Sequence, residues 1–330
     1  MENRTISVVT GGTGFVGSHL VDLLLKKGHE VKVIARKSSS LKWLEEKDVK
    51  IYDCGLNSKD ALKEVLKDAD YVYHVAGVVK AKKWEDYVNG NVDTTRNILE
   101  AAIETGNKFK RILIVSSFTA AGPSTKEKAV DETAELKPIT RYGRSKKMQE
   151  ELVHQFMDKL PITIVRPPAV YGERDTEIYL VFRTYLQGLM TMVGFDKKRV
   201  SLVHVLDLVN GICLAAENEK SAGQTYFISS EEYYTWPEVA DAIKKATGKR
   251  AIRFRFPHFL VFVVAGFAEL FALFSSKAAT FNIEKARDFV QPFWTCDVSK
   301  AKEELGYNQQ ISLDDGIKRT IDWYKENKWL

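Results

Sequence analysis

Apolar residues recur along the chain in two alternating rhythms. Short β-rich runs at Ile6–Thr10, Val31–Ala35, Val49–Tyr52, Tyr71–Val75, Arg111–Val115 and Ile162–Val165 predict strands. Between them, apolar positions fall at helical spacing. Leu20, Val21, Leu24 and Leu25 mark one such helix, ending near Lys27, and the clearest of the others runs from about Trp84 to Glu104. Strands separated by helices imply βαβ units, hence a parallel sheet covered on both faces, with any ligand beyond the C-terminal ends of the strands. Further on, Thr235-Trp236-Pro237-Glu238 reads as a capping box with proline in the first turn. It opens a helix to about Thr247 that Gly248 ends.

The first strand runs into Thr10-Gly11-Gly12-Thr13-Gly14-Phe15-Val16-Gly17. Glycine is needed at three places in it. Gly11 allows the tight turn, Gly14 lets backbone approach a pyrophosphate, and Gly17 lets the following helix lie close to the sheet. The N–H groups and dipole at that helix start favour phosphate. Gly11, Thr13, Gly14, Phe15, Val16 and Gly17 are therefore the expected cofactor-binding stretch of a Rossmann-type, doubly wound α/β fold. The expected division is a dinucleotide-binding domain of residues 1–172 plus about 201–228. A smaller, mostly helical substrate domain takes 173–200 plus about 229–330. At the end of the second strand, where an acid would hold a ribose 2′-hydroxyl, stand Arg36-Lys37-Ser38. That charge suits a 2′-phosphate and favours NADP(H) over NAD(H).

Catalytic chemistry is signalled farther along. Strand five ends in Ser116-Ser117, and Tyr142 and Lys146 stand four residues apart, on one face of a helix. An ammonium beside a phenol is expected to lower the phenol's pKa and make Tyr142 a proton donor and acceptor near neutrality. Ser117 is placed to hydrogen-bond a substrate carbonyl.

A net charge of +5, with basic residues scattered, does not indicate nucleic acid binding. Cys54, Cys213 and Cys296 lie far apart with no metal-ligand spacing; no metal is expected, and a reducing, cytoplasmic compartment is. Met1–Thr5 is short and polar, which predicts no signal peptide. The stretch Phe259–Phe274 is apolar on nearly every helical face and carries one charge, Glu269. Arg250, Arg253 and Arg255 precede it and Lys277 follows. Sixteen residues are short for a bilayer span of about 20. Two readings stay open: a core or homodimer-interface helix, or a peripheral contact at the inner face of a membrane that also admits a lipophilic substrate.

The glycine stretch, Ser117 and Tyr142-x-x-x-Lys146 together resemble the extended short-chain dehydrogenase/reductase family, over essentially the whole chain. Val75-Ala76-Gly77, Asn91–Asn97, Arg166–Gly172, Val203–Leu208, Glu304–Tyr307 and Asp315–Ile317 look like further blocks of that family. The resemblance implies that Val75, Ala76, Gly77 and Asn91 line the cofactor cleft. It also implies that the backbone from Pro167 to Val170 faces a nicotinamide, and that Lys146 holds its ribose. Two departures stand out. The family's Gly-Asp-Leu after strand three reads Cys54-Gly55-Leu56 here, its acid displaced to Asp53. Sugar-nucleotide epimerases place an arginine four residues before the histidine of the Val-His-Val block, where this chain has Val200, with Arg199 one residue off. Ala121-Gly122-Pro123, lacking the tyrosine usual before that glycine, looks more like the 3β-hydroxysteroid dehydrogenase and dihydroflavonol reductase branches. The expected activity is thus ketone/secondary-alcohol interconversion on a lipid-like substrate of sterol or keto-sphingoid type. A nucleotide-sugar epimerase or dehydratase with tightly held NAD is the alternative, and a non-catalytic cofactor-binding regulator a third.

Overall fold

The structure is a computed structural model that describes residues 4–272 and 281–330. Its strands are β1 (Ile6–Thr10), β2 (Glu30–Ile34), β3 (Val49–Tyr52), β4 (Tyr71–His74), β5 (Arg111–Val115), β6 (Ile162–Arg166), β7 (Ala169–Tyr171), β8 (Leu189–Val193), β9 (Arg199–His204), β10 (Thr225–Phe227), β11 (Tyr233–Tyr234), β12 (Ile252–Phe256) and β13 (Phe293–Trp294). The helices are α1 (Phe15–Lys26), α2 (Lys59–Leu66), α3 (Trp84–Tyr87), α4 (Thr94–Thr105), α5 (Arg141–His154), α6 (Tyr179–Leu186), α7 (Val205–Glu217), α8 (Trp236–Thr247), α9 (His258–Ala272), α10 (Ile283–Val290), α11 (Ser299–Leu305) and α12 (Leu313–Glu326).

Seven parallel strands form the main sheet in the order β10-β6-β5-β4-β1-β2-β3. The order reverses at β1, whose neighbours are β2 and β4, so a crevice opens beyond their C-terminal ends. Both faces are covered. Leu20, Leu24, Val209 and Ile212 of α1 and α7 pack on one; Leu62, Leu66, Ile98 and Ala102 of α2 and α4 pack on the other. That two-sided burial is why the strands read as unbroken apolar runs. The remaining strands build two small sheets, β11-β9-β13 with β7 on β9, and the β8–β12 ribbon. They surround a separate cluster that includes Phe182, Met190, Met192, Ile243 and Ile317.

Two predicted helices differ in detail. The stretch from Trp84 to Thr105 is not one α-helix, because Val88–Asp93 between α3 and α4 winds as a π-helical segment carrying Asn91. The apolar stretch forms α9, which starts one residue earlier, at His258. Leu273, Phe274 and Lys277 lie outside the described residues. No helix of the described residues is long and apolar enough to cross a membrane. The capping box holds as expected: Thr235 N–H donates to Glu238 Oε2 at 2.6 Å, and Gly248 ends α8 at φ +70°. A cluster of aromatic rings fastens the loop after β2 to the last helix. Trp43 lies 5.8 Å from Trp323 of α12 and 6.5 Å from Trp329, with the Arg174 guanidinium 5.1 Å over its ring.

Candidate active site

At the end of β1 the chain turns through Gly11 at φ +71°, and a Cβ there would lie 2.7 Å from Ala76 N. At Gly17 a Cβ would meet Gly11 O at 2.1 Å, so the first turn of α1 closes directly onto the loop it leaves. Gly14 N–H donates to Gly11 O at 2.9 Å, and Gly14 caps α1 with no side-chain acceptor. The first N–H groups of α1, from Phe15, Val16 and Gly17, therefore face out of a cradle that side chains would fill. Thr13 lies within the turn, next to the Gly14 cap.

The 75–78 turn closes over this loop and is pinned from beneath. Val75 N–H donates to Thr10 O at 3.3 Å and Ala76 N–H to Thr10 Oγ1 at 3.1 Å. Asn91 is fully buried. Its Oδ1 accepts from Val78 N–H at 2.7 Å, and its Nδ2 donates to Val78 O at 3.0 Å and to Ser145 Oγ at 2.8 Å. Its side chain thus ties the 75–78 turn to α5. The π-helical segment supplies the change of pitch that aims it there.

Ser117, Tyr142 and Lys146 meet beyond the end of β5. Ser117 leaves the strand extended and caps the short turn Phe118–Ala120, its Oγ accepting from Thr119 N–H at 3.2 Å and Thr119 Oγ1 at 2.9 Å. Thr140 caps α5 by accepting from Gly143 N–H at 3.1 Å, which fixes Tyr142 in the first turn and Lys146 one turn on. Gly143 has no room for a side chain, since a Cβ would lie 2.4 Å from Thr119 O. That close approach brings the Ser117 turn and the Tyr142 helix together. Lys146 is buried and donates to Val115 O at 2.9 Å. A Cβ on Gly77 would lie 3.7 Å from its Nζ, so the amine sits between β5 and the glycine of the 75–78 turn.

The expected lowering of the Tyr142 pKa by Lys146 is not what the structure gives. Burial pushes the phenol up to about 12; hydrogen bonding to Ser117 works the other way, and Tyr87 adds to the rise. Burial also pushes Lys146 down to about 7, against the pull of Glu150. Desolvation outweighs the attraction inferred from spacing, because Lys146 is buried and protein crowds the half-buried Tyr142. Tyr142 is consequently held protonated at neutral pH, and Lys146 changes charge there.

Two buried polar assemblies support these groups, and the sequence reading missed both. Glu150, one turn beyond Lys146, is fully buried. It takes Arg166 Nη2 at 2.6 Å, Arg166 Nε at 3.0 Å and a short hydrogen bond from Ser116 Oγ. Its spacing from Lys146 was a usable signal. In the second assembly, Thr10 Oγ1 meets His74 Nδ1 at 2.8 Å and His74 Nε2 meets Thr95 Oγ1 at 2.9 Å. Thr95 spends its one hydroxyl proton on Asn91 O at 2.7 Å, so it accepts from His74, and the imidazole carries its proton on Nε2. Burial pushes His74 down to about 3, which keeps it neutral.

The other expected positions are spread out. Arg36 lies exposed past the end of β2, bridged antiparallel to Cys54, with its N–H donating to Ser39 Oγ at 3.2 Å. Pro167 O accepts from Phe118 N–H at 2.9 Å, so the backbone between β6 and β7 runs beside the Ser117 turn; Val170 lies in β7, partly buried. His204 caps α7 through Leu206 N–H, a structural part. Arg199 is exposed on β9, while Val200 packs with the cluster around Leu202 and Tyr234. Ala121 is buried with Phe118, Phe227 and Cys296. Among the described residues no group of His, Cys, Asp and Glu side chains gathers as a metal site.

A sequence model of the NAD dependent epimerase/dehydratase family matches residues 7–229. A ceramide reductase of Caulobacter vibrioides is 28% identical over 327 residues, covering 99% of this chain and 96% of that protein. A UDP-N-acetyl-alpha-D-glucosaminuronate decarboxylase of Bacillus cytotoxicus is 29% identical over 339 residues, covering 97% of each. Among solved structures, the UDP-glucuronic acid 4-epimerase of Bacillus cereus, in complex with UDP-glucuronic acid and NAD, superposes with a TM-score of 0.79. It is 24% identical, over 98% of this chain and 100% of the other.

Proposed function

The chain belongs to the NAD dependent epimerase/dehydratase family, and from that premise we propose that it is an NADP(H)-dependent oxidoreductase. It interconverts a ketone and a secondary alcohol on a hydrophobic, lipid-like molecule of sterol or keto-sphingoid type. The observation that carries this is the meeting of Ser117, Tyr142 and Lys146 beyond β5, beside the glycine cradle. Gly11, Gly14 and Gly17, the N–H groups of α1, the 75–78 turn and Lys146 would hold the dinucleotide, and Arg36 its 2′-phosphate. Bound there, a nicotinamide supplies or accepts the hydride. The protein's own residues handle the oxygen and its proton. Ser117 Oγ donates a hydrogen bond that polarises the carbonyl. Tyr142, held protonated by burial, delivers a proton to the oxygen as charge builds there. In its cationic form Lys146 steadies the phenolate that remains; in the oxidative direction the same phenolate takes the alcohol's proton back.

The lipid-like substrate is supported by the likeness to a ceramide reductase, by Ala121 in an apolar cluster, and by Val200 where the sugar-nucleotide pattern has arginine. The exposed apolar face of α9 supports peripheral contact with a membrane. The likeness to a UDP-sugar decarboxylase favours the second reading, an enzyme that keeps NAD bound through a catalytic cycle on a nucleotide sugar. Tyr142→Phe tests the proposal: ketone reduction with NADPH should fall by about 10²–10⁴ while NADPH binding by titration calorimetry is unchanged. Retained turnover would refute the assigned role. NAD that stays with the purified protein through gel filtration, with no NADPH-dependent ketone reduction, would select the sugar-nucleotide reading.

A further inference from the structure

Helix α9 has its polarity reversed relative to an ordinary surface helix. At 100° per residue, Val261, Ala265, Ala268, Glu269 and Ala272 share the side that meets the protein. Val261 and Ala265 are buried there, against Ala286 of α10 and against Val193 and Phe256. Its one acidic residue is on that inner side, where Glu269 Oε1 accepts from Ile283 N–H at 3.3 Å. The outer arc, about 200° wide by the same spacing, holds Phe259, Phe262, Val263, Val264, Phe267, Leu270 and Phe271 with no charge. Phe259 is 68% exposed, Phe267 58% and Phe271 72%.

The β8–β12 ribbon extends this surface. Ile252 pairs with Leu189, Phe254 with Thr191 and Phe256 with Val193. On β12 alternate residues share a face, so Ile252 and Phe254 lie on the side of Phe256, the side that α9 covers at its far end. Ile252 is 73% exposed and Phe254 50%. Met190 and Met192 point the other way, into the protein, and Arg253 on that side pairs with Asp241. Just before β12 stand Lys249 and Arg250, both exposed; Arg255, like Arg253, is turned to the inner side, its Nη1 donating to Gly194 O at 3.1 Å.

The same elements border the active site. Lys82, on the loop that follows Gly77, donates to Ala272 O at 2.9 Å. Arg141 N–H, next to Tyr142, donates to the Glu284 carboxylate of α10, the helix packed under α9.

We infer that the outer arc of α9 and the outer face of the β8–β12 ribbon form one surface that settles into the interface of an anionic bilayer. A lipophilic ketone then reaches Tyr142 sideways from that bilayer, past the 78–83 loop and α10. The delivery half of this inference rests on the reductase reading above; the docking half does not. A bilayer fits better than a second copy of the chain for two reasons. The exposed arc wraps more of the helix than the roughly 100° stripe that one facing element covers. Lys249 and Arg250, exposed just before β12, complement anionic headgroups.

The test uses the full chain and vesicles of phosphatidylcholine, alone or with 30 mol% phosphatidylglycerol. Wild type should float with both, more with the anionic vesicles, and 0.5 M NaCl should remove only the anionic increment, because apolar insertion is not screened. Phe259→Ser with Phe267→Ser on α9, and separately Ile252→Ser with Phe254→Ser on the ribbon, should each lower the partition coefficient by about tenfold or more. Melting temperature and NADPH affinity should not change. Both variants should raise KM for a long-chain ketone carried in vesicles and leave KM for a short water-soluble ketone alone. A wild type that does not float, or floats no better than the variants, overturns the docking. So does a dimer on size exclusion that the same changes split, which would assign the face to a second copy. If the protein reduces both ketones but does not float, docking fails and the reductase reading stands. If it floats and reduces neither, docking stands and the reductase reading fails.

Discussion

Replacing Lys146 by methionine should abolish turnover and make the protein more stable. The buried amine has its pKa pushed down to about 7 from 10.5. At 1.36 kcal/mol per pH unit, keeping it from its proton costs the folded state about 4 kcal/mol at pH 7. Methionine fills similar space without that cost and gives up the hydrogen bond to Val115 O, worth about 1 kcal/mol. The expected gain is therefore about 3 kcal/mol at pH 7. The folded pKa lies below the unfolded one, so between about 7 and 10.5 the unfolded chain holds the extra proton. Wild-type stability consequently rises with pH through that window. The contribution is complete above 10.5 and lost as pH falls to about 7. Groups common to both proteins cancel in the difference, and the gap between variant and wild type should narrow by about 2 kcal/mol from pH 7 to pH 9. Urea unfolding at pH 7, 8 and 9 measures it. A variant less stable than wild type at pH 7, or a gap that does not move with pH, would refute the buried, proton-poor amine.

Arg36→Asp should shift the ratio of kcat/KM for NADPH over NADH toward NADH by about tenfold or more; steady-state kinetics with both cofactors decides it, and an unchanged ratio leaves Arg36 a solvated turn residue. Gly17→Ala places a Cβ where Gly11 O lies at 2.1 Å, and titration calorimetry should show cofactor affinity reduced more than about tenfold; normal affinity would mean the cradle does not hold the phosphates. Glu150→Gln strips Arg166 of its buried partner and should cost about 3–5 kcal/mol of unfolding free energy. Adding Arg166→Met should recover part of that loss, and a single variant as stable as wild type would contradict the pairing.

The central six strands were readable because two-sided burial writes itself as continuous apolar runs, and the glycine stretch because only one residue type fits Gly11 and Gly17. Tyr142 and Lys146 were brought to one helix face by spacing alone. The direction of their pKa shifts was not readable, since it depends on how much protein lies over them. β7 and β10 are three residues each, too short to show a rhythm. The Thr10–His74–Thr95 chain joins residues 64 apart and then 21 apart, so no local pattern announces it. The π-helical segment through Asn91 was read as plain helix because apolar residues on either side keep close to helical spacing.

The aromatic cluster of Trp43, Trp323 and Trp329 has a consequence for how the chain is made. The loop after β2 leaves the ribosome early, yet the rings that hold it arrive only with the last residues of this sequence. The β10 strand that covers β6 also comes late, after residue 224. During synthesis, therefore, the glycine cradle and its neighbouring strands are complete while the stretch around Trp43 still lacks its aromatic partners and the β6 edge is still open. Until residue 225 is made, that uncovered edge is the part of the nascent chain most open to pairing with a strand of another molecule.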